Sequence, residues 1–170
     1  LGSLKKNLLP FLTNSPLSRN LSHSSSNLLR LLPNFLVVGA MKAGSTTLMD
    51  YLVSHHEVGI PDEEINYFDK DLNYNKGVDW YSDWFKNYAS KKIIGEKTPA
   101  YCYEPKAAKR IYEQNPNIKL VWILRNPVKR TYSNYWHYIR IGKEILPIEE
   151  CLRLENEPLQ QHQKQEQFYP

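Results

Sequence analysis

Residues 35–48 read FLVVGAMKAGSTTL, and the change of pattern inside this stretch decides the fold. FLVVGA, at 35–40, is a short apolar run with β-branched residues that ends in glycine, the pattern of a strand buried on both faces. From Thr46 to His55 the apolar residues Leu48, Tyr51 and Leu52 fall on one helical face, with Ser45 placed to cap the first turn. The order is strand, glycine loop, helix. Such a loop points several backbone N–H groups and the positive end of a helix dipole at one spot, which makes an anion site with phosphate as its natural occupant.

The loop differs from the nucleoside triphosphate pattern G-x-x-x-x-G-K-[ST]: Ser45 stands where the lysine belongs, and the lysine is Lys42, inside the loop. Triphosphate enzymes also hold magnesium with a carboxylate at a neighbouring strand end. Here the neighbouring strands end in EKTP and LRNP. A lysine in mid-loop, joined by other cations, can neutralise a leaving phosphate without a metal, which is the logic of sulfuryl transfer.

Outward from the loop, KIIGEKTP at 92–99 predicts a second strand, PKAAKRIYEQNP at 105–116 a helix with Pro105 at its first position, and KLVWILRNP at 119–127 a third, continuously apolar strand. Pro127 then opens another helix, in which Val128, Tyr132, Tyr135, Trp136 and Ile139 follow a three-or-four spacing. Strands alternating with helices imply an α/β fold with a parallel central sheet. The polar, glutamine-rich stretch from 151 reads as a helix fading into loop.

The chain of 170 residues, 41% hydrophobic, is enough for one domain with a real core. Its net charge of +4 suits anionic ligands but falls short of a polybasic nucleic-acid binder. Two cysteines are too few for a disulfide scaffold. No apolar run reaches the roughly 18 residues of a membrane span, so the chain reads as soluble. Residues 1–33 are serine-rich and carry no acid, which fits an organelle transit peptide or a flexible stem. Asn20-Leu21-Ser22 forms a glycosylation sequon, read here as a chance occurrence.

GAMKAGSTTL resembles the 5′-phosphosulfate loop of the sulfotransferases that use 3′-phosphoadenosine 5′-phosphosulfate, and LRNPVKRTYSNY resembles their 3′-phosphate segment. Between them, PDEEINYFDKDLNYNKGVDWYSDWF and GEKTPAYCYEP are similar to stretches of the heparan sulfate N-sulfotransferase and 3-O-sulfotransferase branch. Four motifs in order over roughly 34–140 make the match specific. The resemblance implies a P-loop-like three-layer domain over 34–170, without a metal. After residue 150 neither a further strand nor a lysine and glycine lid over the donor is legible, so the expectation is a domain lacking its C-terminal part.

By the same resemblance Lys42 contacts the 5′-phosphate and stabilises the leaving group, with Ala43, Gly44, Ser45, Thr46 and Thr47 binding that phosphate. Arg125 and Ser133 match the pair that holds the 3′-phosphate. Glu64 matches the general base on the acceptor hydroxyl or amine, and Glu63 is its rival. Many relatives carry lysine at the Glu63 position and histidine at the Asn66 position, so this chain departs from them on the acceptor side. Lys97 matches a lysine near the sulfuryl group, with Glu96 orienting it or the acceptor. Tyr67, Phe68, Trp80, Tyr81, Trp84 and Phe85 line a sugar cleft or pack a core.

The implied partners are the donor nucleotide and a heparan sulfate-like glycan, and the implied location is the Golgi lumen, with an organelle-targeted or cytoplasmic protein as the alternative. A nucleotide kinase or hydrolase and a non-catalytic nucleotide- or glycan-binding relative are the competing readings.

Overall fold

The structure, a computed structural model, describes residues 30–155. The sequon and the end of the glutamine-rich stretch lie outside them. The described chain divides into two compact units, one ending at Leu124 and the other beginning at Arg125.

The first unit is built on a four-stranded parallel sheet: β1 (Phe35–Gly39), β2 (Val58–Gly59), β3 (Ile93–Lys97) and β4 (Lys119–Trp122), in the order β2-β3-β1-β4. β1 is buried along its whole length, as its unbroken apolar run predicts. Strand alternation divides it between two cores. Leu36 and Val38 pack with Tyr67, Phe68, Tyr81, Phe85, Ile94 and Tyr101, while Phe35 and Val37 pack with Met49, Leu52, Val58, Ile60 and Ile93. The sheet is therefore the middle of three layers. Gly95 lies beside Phe35, where any Cβ would run into the aromatic ring, so a side chain there would push β1 and β3 apart.

Helix α1 (Ser45–Val53) follows β1 and covers one face through Met49 and Leu52. Two short helices that the sequence pattern did not reveal, α2 (Asp71–Tyr74) and α3 (Gly77–Asp83), frame the aromatic core on the other face. Tyr67, Phe68, Tyr81 and Phe85 are all at most 2% exposed, which decides between cleft and core for these four. Tyr67 stacks on Tyr81 with ring centroids 4.2 Å apart. Helix α4 (Pro105–Gln114) starts at Glu104, whose side chain accepts from the Lys106 N–H at 3.1 Å, and buries Ala107 and Ile111, one turn apart.

β4 departs from expectation. Its apolar run predicts burial on both faces, yet Leu120 and Trp122 are 46% and 53% exposed. β4 is an edge strand, paired only with β1, and one of its faces is uncovered among the described residues.

The second unit holds helices α5 (Pro127–Arg140) and α6 (Ile148–Glu155). Asn126 caps α5 by accepting from the Lys129 N–H at 3.1 Å, and Pro127 occupies the first position, where its missing donor costs nothing. Gly142, at φ 71°, ends the helix, with the N–H of Lys143 reaching the Tyr138 carbonyl at 2.9 Å. The Tyr135 hydroxyl donates to the Leu146 carbonyl at 3.1 Å and ties the following turn back to α5. Neither helix buries a residue fully, and Val128, Tyr132 and Trp136 form an exposed ridge. No helix among the described residues is long and apolar enough to cross a membrane.

Candidate functional site

Parallel strands send all their carboxyl ends to one edge of the sheet, where the following loops gather. The loop 40–44 leaves β1 there, Lys97 ends the adjacent β3, and the segment 60–66 leaves β2 on the far side of β3. Three of the stretches singled out in the sequence thus meet at one edge.

Loop 40–44 is tightly wound. Lys42 sits at φ 62°, in the left-handed region that side chains other than glycine and asparagine rarely adopt, and Gly44 at φ 110°. The Ala43 N–H is used within the loop, donating to the Ala40 carbonyl at 3.1 Å. Gly44 takes the N-cap position of α1 and supplies no side-chain acceptor, so the cap expected of Ser45 does not form: Ser45 is the first helical residue and is buried. The physical reason is the left-handed Gly44, which starts the helix one residue early. No acid stands in the first turn. The N–H groups of Ser45, Thr46 and Thr47 belong to the turn that lacks intrahelical acceptors, and the Thr46 and Thr47 side chains are exposed. An anion at this point would meet donors and the positive dipole end together.

On the β2 and β3 side, the Lys97 Nζ lies 3.0 Å from a Glu64 carboxylate oxygen, with Lys97 11% and Glu64 43% exposed. The two residues implied in catalysis are thus in contact. Glu63, one residue before Glu64, is exposed; burial raises the Tyr88 pKa, and the charges of Asp62 and Glu63 add to the effect. Asn66, at φ 52°, folds the segment back, its Nδ2 donating to the Glu64 carbonyl at 2.7 Å, while the Asn73 side chain donates to the carbonyls of Ile65 and Asn66. Arg125 and Ser133 belong to the second unit, Arg125 exposed before α5 and Ser133 half-buried two turns into it.

Glu96 differs from its expected role. It does not orient Lys97 but is fully buried, accepting from the hydroxyls of Tyr81 and Tyr101 and from the Thr98 hydroxyl at 2.8 Å. Thr98 and Tyr101 stand two and five residues beyond it in GEKTPAYCY, a spacing whose hydroxyls could have flagged the cluster. Burial pushes the Glu96 pKa from 4.5 up to about 7 against the three hydroxyl donors, and Asp69 pushes it the same way. A carboxyl raised on folding binds its proton more tightly in the native state. Its stabilising contribution is complete below pH 4.5 and is lost as pH rises through about 7. Across that window the wild type is expected to lose about 3 kcal/mol relative to Glu96→Gln, which cannot ionise. Denaturant titrations of both proteins at pH 4.5 and above pH 7 measure this, and parallel pH dependence would contradict it.

The sequence matches the sulfotransferase domain family over residues 32–168. The chain is 42% identical over 108 residues to the membrane-associated sulfotransferase kil1 of Dictyostelium discoideum, covering 61% of this chain and 22% of that protein. It is 36% identical over 118 residues to the human heparan sulfate glucosamine 3-O-sulfotransferase 5, covering 69% and 34%. Among solved structures, a sulfotransferase from Alicyclobacillus acidocaldarius superposes with a TM-score of 0.67 at 32% identity, covering 78% of this chain and 60% of that one. The chain therefore spans only about a fifth to a third of the length of these two relatives. A nucleotide kinase or hydrolase is not favoured by these matches. The α/β unit with its glycine loop, parallel sheet and paired Glu64 and Lys97 belongs to the sulfotransferase domain family.

Proposed function

We propose that the protein transfers the sulfuryl group of 3′-phosphoadenosine 5′-phosphosulfate to a hydroxyl or amine of a heparan sulfate-like glycan. The observation that carries this reading is the Glu64 and Lys97 contact at the sheet edge that also carries the Lys42 loop. In this reading Glu64 takes the acceptor proton as its oxygen or nitrogen attacks sulfur, and the bond from sulfur to the phosphate oxygen breaks. Lys42 and the first turn of α1 receive the charge left on that phosphate. Lys97 holds one oxygen of Glu64 and presents a cation to the sulfuryl oxygens. The relatives named for heparan sulfate support a glycan acceptor, and a Golgi lumenal location goes with that acceptor.

Arg125 and Ser133 are assigned to the 3′-phosphate, since arginine offers a planar fork to phosphate oxygens and serine a hydroxyl. The test is ligand-induced stabilisation. 3′-Phosphoadenosine 5′-phosphate at about a hundred times its dissociation constant is expected to stabilise the full-length protein by about 2.7 kcal/mol, and ADP at the same concentration much less. Equal thermal shifts from the two nucleotides would overturn the assignment.

A further inference from the structure

The Glu96 cluster continues outward from the core to the segment that carries Glu64. The Tyr67 N–H donates to the Tyr101 hydroxyl oxygen at 3.0 Å and the Phe68 N–H to the same oxygen at 3.4 Å. The Asn66 N–H donates to the Thr98 hydroxyl oxygen at 3.4 Å. Backbone N–H groups can only donate, so each hydroxyl must send its own proton elsewhere. Both send it to the same atom, Oε1 of Glu96. Two hydroxyl protons occupy both lone pairs of that oxygen, and Oε2 is left to Tyr81. One carboxylate oxygen thus orients the acceptors of three successive amides, two to four residues beyond Glu64.

Strand alternation completes the arrangement. Glu96 and Thr98 project from one face of β3, and Lys97, between them in sequence, projects from the other, where it meets Glu64. Segment 64–68 is therefore tied to the end of β3 from both faces. We propose that Glu96, through Thr98 and Tyr101, is the positioning residue that holds the Glu64 carboxylate against Lys97 for catalysis. The proposal rests on Glu64 acting as the base. Glutamine at position 96 keeps an oxygen for the two hydroxyl protons and gives Tyr81 an N–H, so Glu96→Gln preserves the clamp; Glu96→Leu removes it.

Two measurements on the full-length protein test this, using Tyr101→Phe and Thr98→Val as changes of minimal volume that avoid the risk of misfolding at position 96. First, hydrogen exchange at Tyr67 and Phe68 is expected to quicken about tenfold in Tyr101→Phe and at Asn66 in Thr98→Val, with Glu96→Gln leaving all three protected. Unchanged protection in both hydroxyl variants overturns the clamp. Second, each hydroxyl variant is expected to lower kcat about tenfold with nucleotide affinity unchanged, yet to cost nothing further when added to Glu64→Gln. A merely structural role would multiply the two losses, and that result overturns the proposal. Normal transfer by Glu64→Gln alone would instead overturn the base assignment on which the proposal rests, whatever the amides show.

Discussion

Lys42→Ala is expected to cut sulfuryl transfer by about two to three orders of magnitude while leaving the fold intact, because the charge it meets grows only as the bond to sulfur breaks. A donor aimed at charge that develops in the transition state contributes little to the resting protein. Backbone bonds and Gly44 draw the turns of the loop, and the core clusters that hold the fold together consist of residues outside it. Alanine at φ 62° carries the same backbone strain as lysine, so that term cancels. The expected signature is a fall in kcat and kcat/KM together, with a melting temperature and far-UV spectrum unchanged from wild type. Near-normal turnover in the variant would remove Lys42 from the mechanism.

Glu64→Gln is expected to lower transfer by a factor of about a hundred to ten thousand, the range for loss of a general base. Glutamine keeps the length of the side chain and an oxygen for Lys97, so the ion pair becomes a hydrogen bond and the local geometry survives. Donor affinity, measured by calorimetry, is expected to stay within a few-fold of wild type. Glu63→Gln is the control. Glu63 is exposed, and the carboxylate 3.0 Å from Lys97 is that of Glu64, so the amide at 63 should leave turnover within a few-fold. Sulfate transfer to heparosan and to N-deacetylated heparosan, which present hydroxyl and amine acceptors, reads both variants. An inactive Glu63→Gln beside an active Glu64→Gln would move the base by one residue. If neither change matters, the protein binds its ligands without turning them over.

Local chemistry made much of this arrangement legible. FLVVG reads as a strand covered on both faces, GAMKAG as a turn before a helix, and Pro105 and Pro127 each mark the first position of a helix. Glu64 and Lys97 were legible as individuals from the motifs that hold them. Their contact was not, since the 32 intervening residues carry no signal for which side of β3 the segment crosses.

The sequence by itself determined the elements whose cause lies within a few residues: the buried strand, the glycine loop, the proline-started helices and their parallel arrangement. Tertiary structure alone decided the rest, because each outcome depends on atoms distant in the chain. Ser45 lost the cap to Gly44 once β1 fixed how the loop enters α1. The apolar periods of β4 and α5 describe a face but not what covers it, so Trp122 and Trp136 proved exposed. The fate of Glu96 was the furthest from reach. Its partners come from α3, from its own strand's end and from the turn after it, and only their convergence made an acid beside a lysine into a buried hub rather than that lysine's partner.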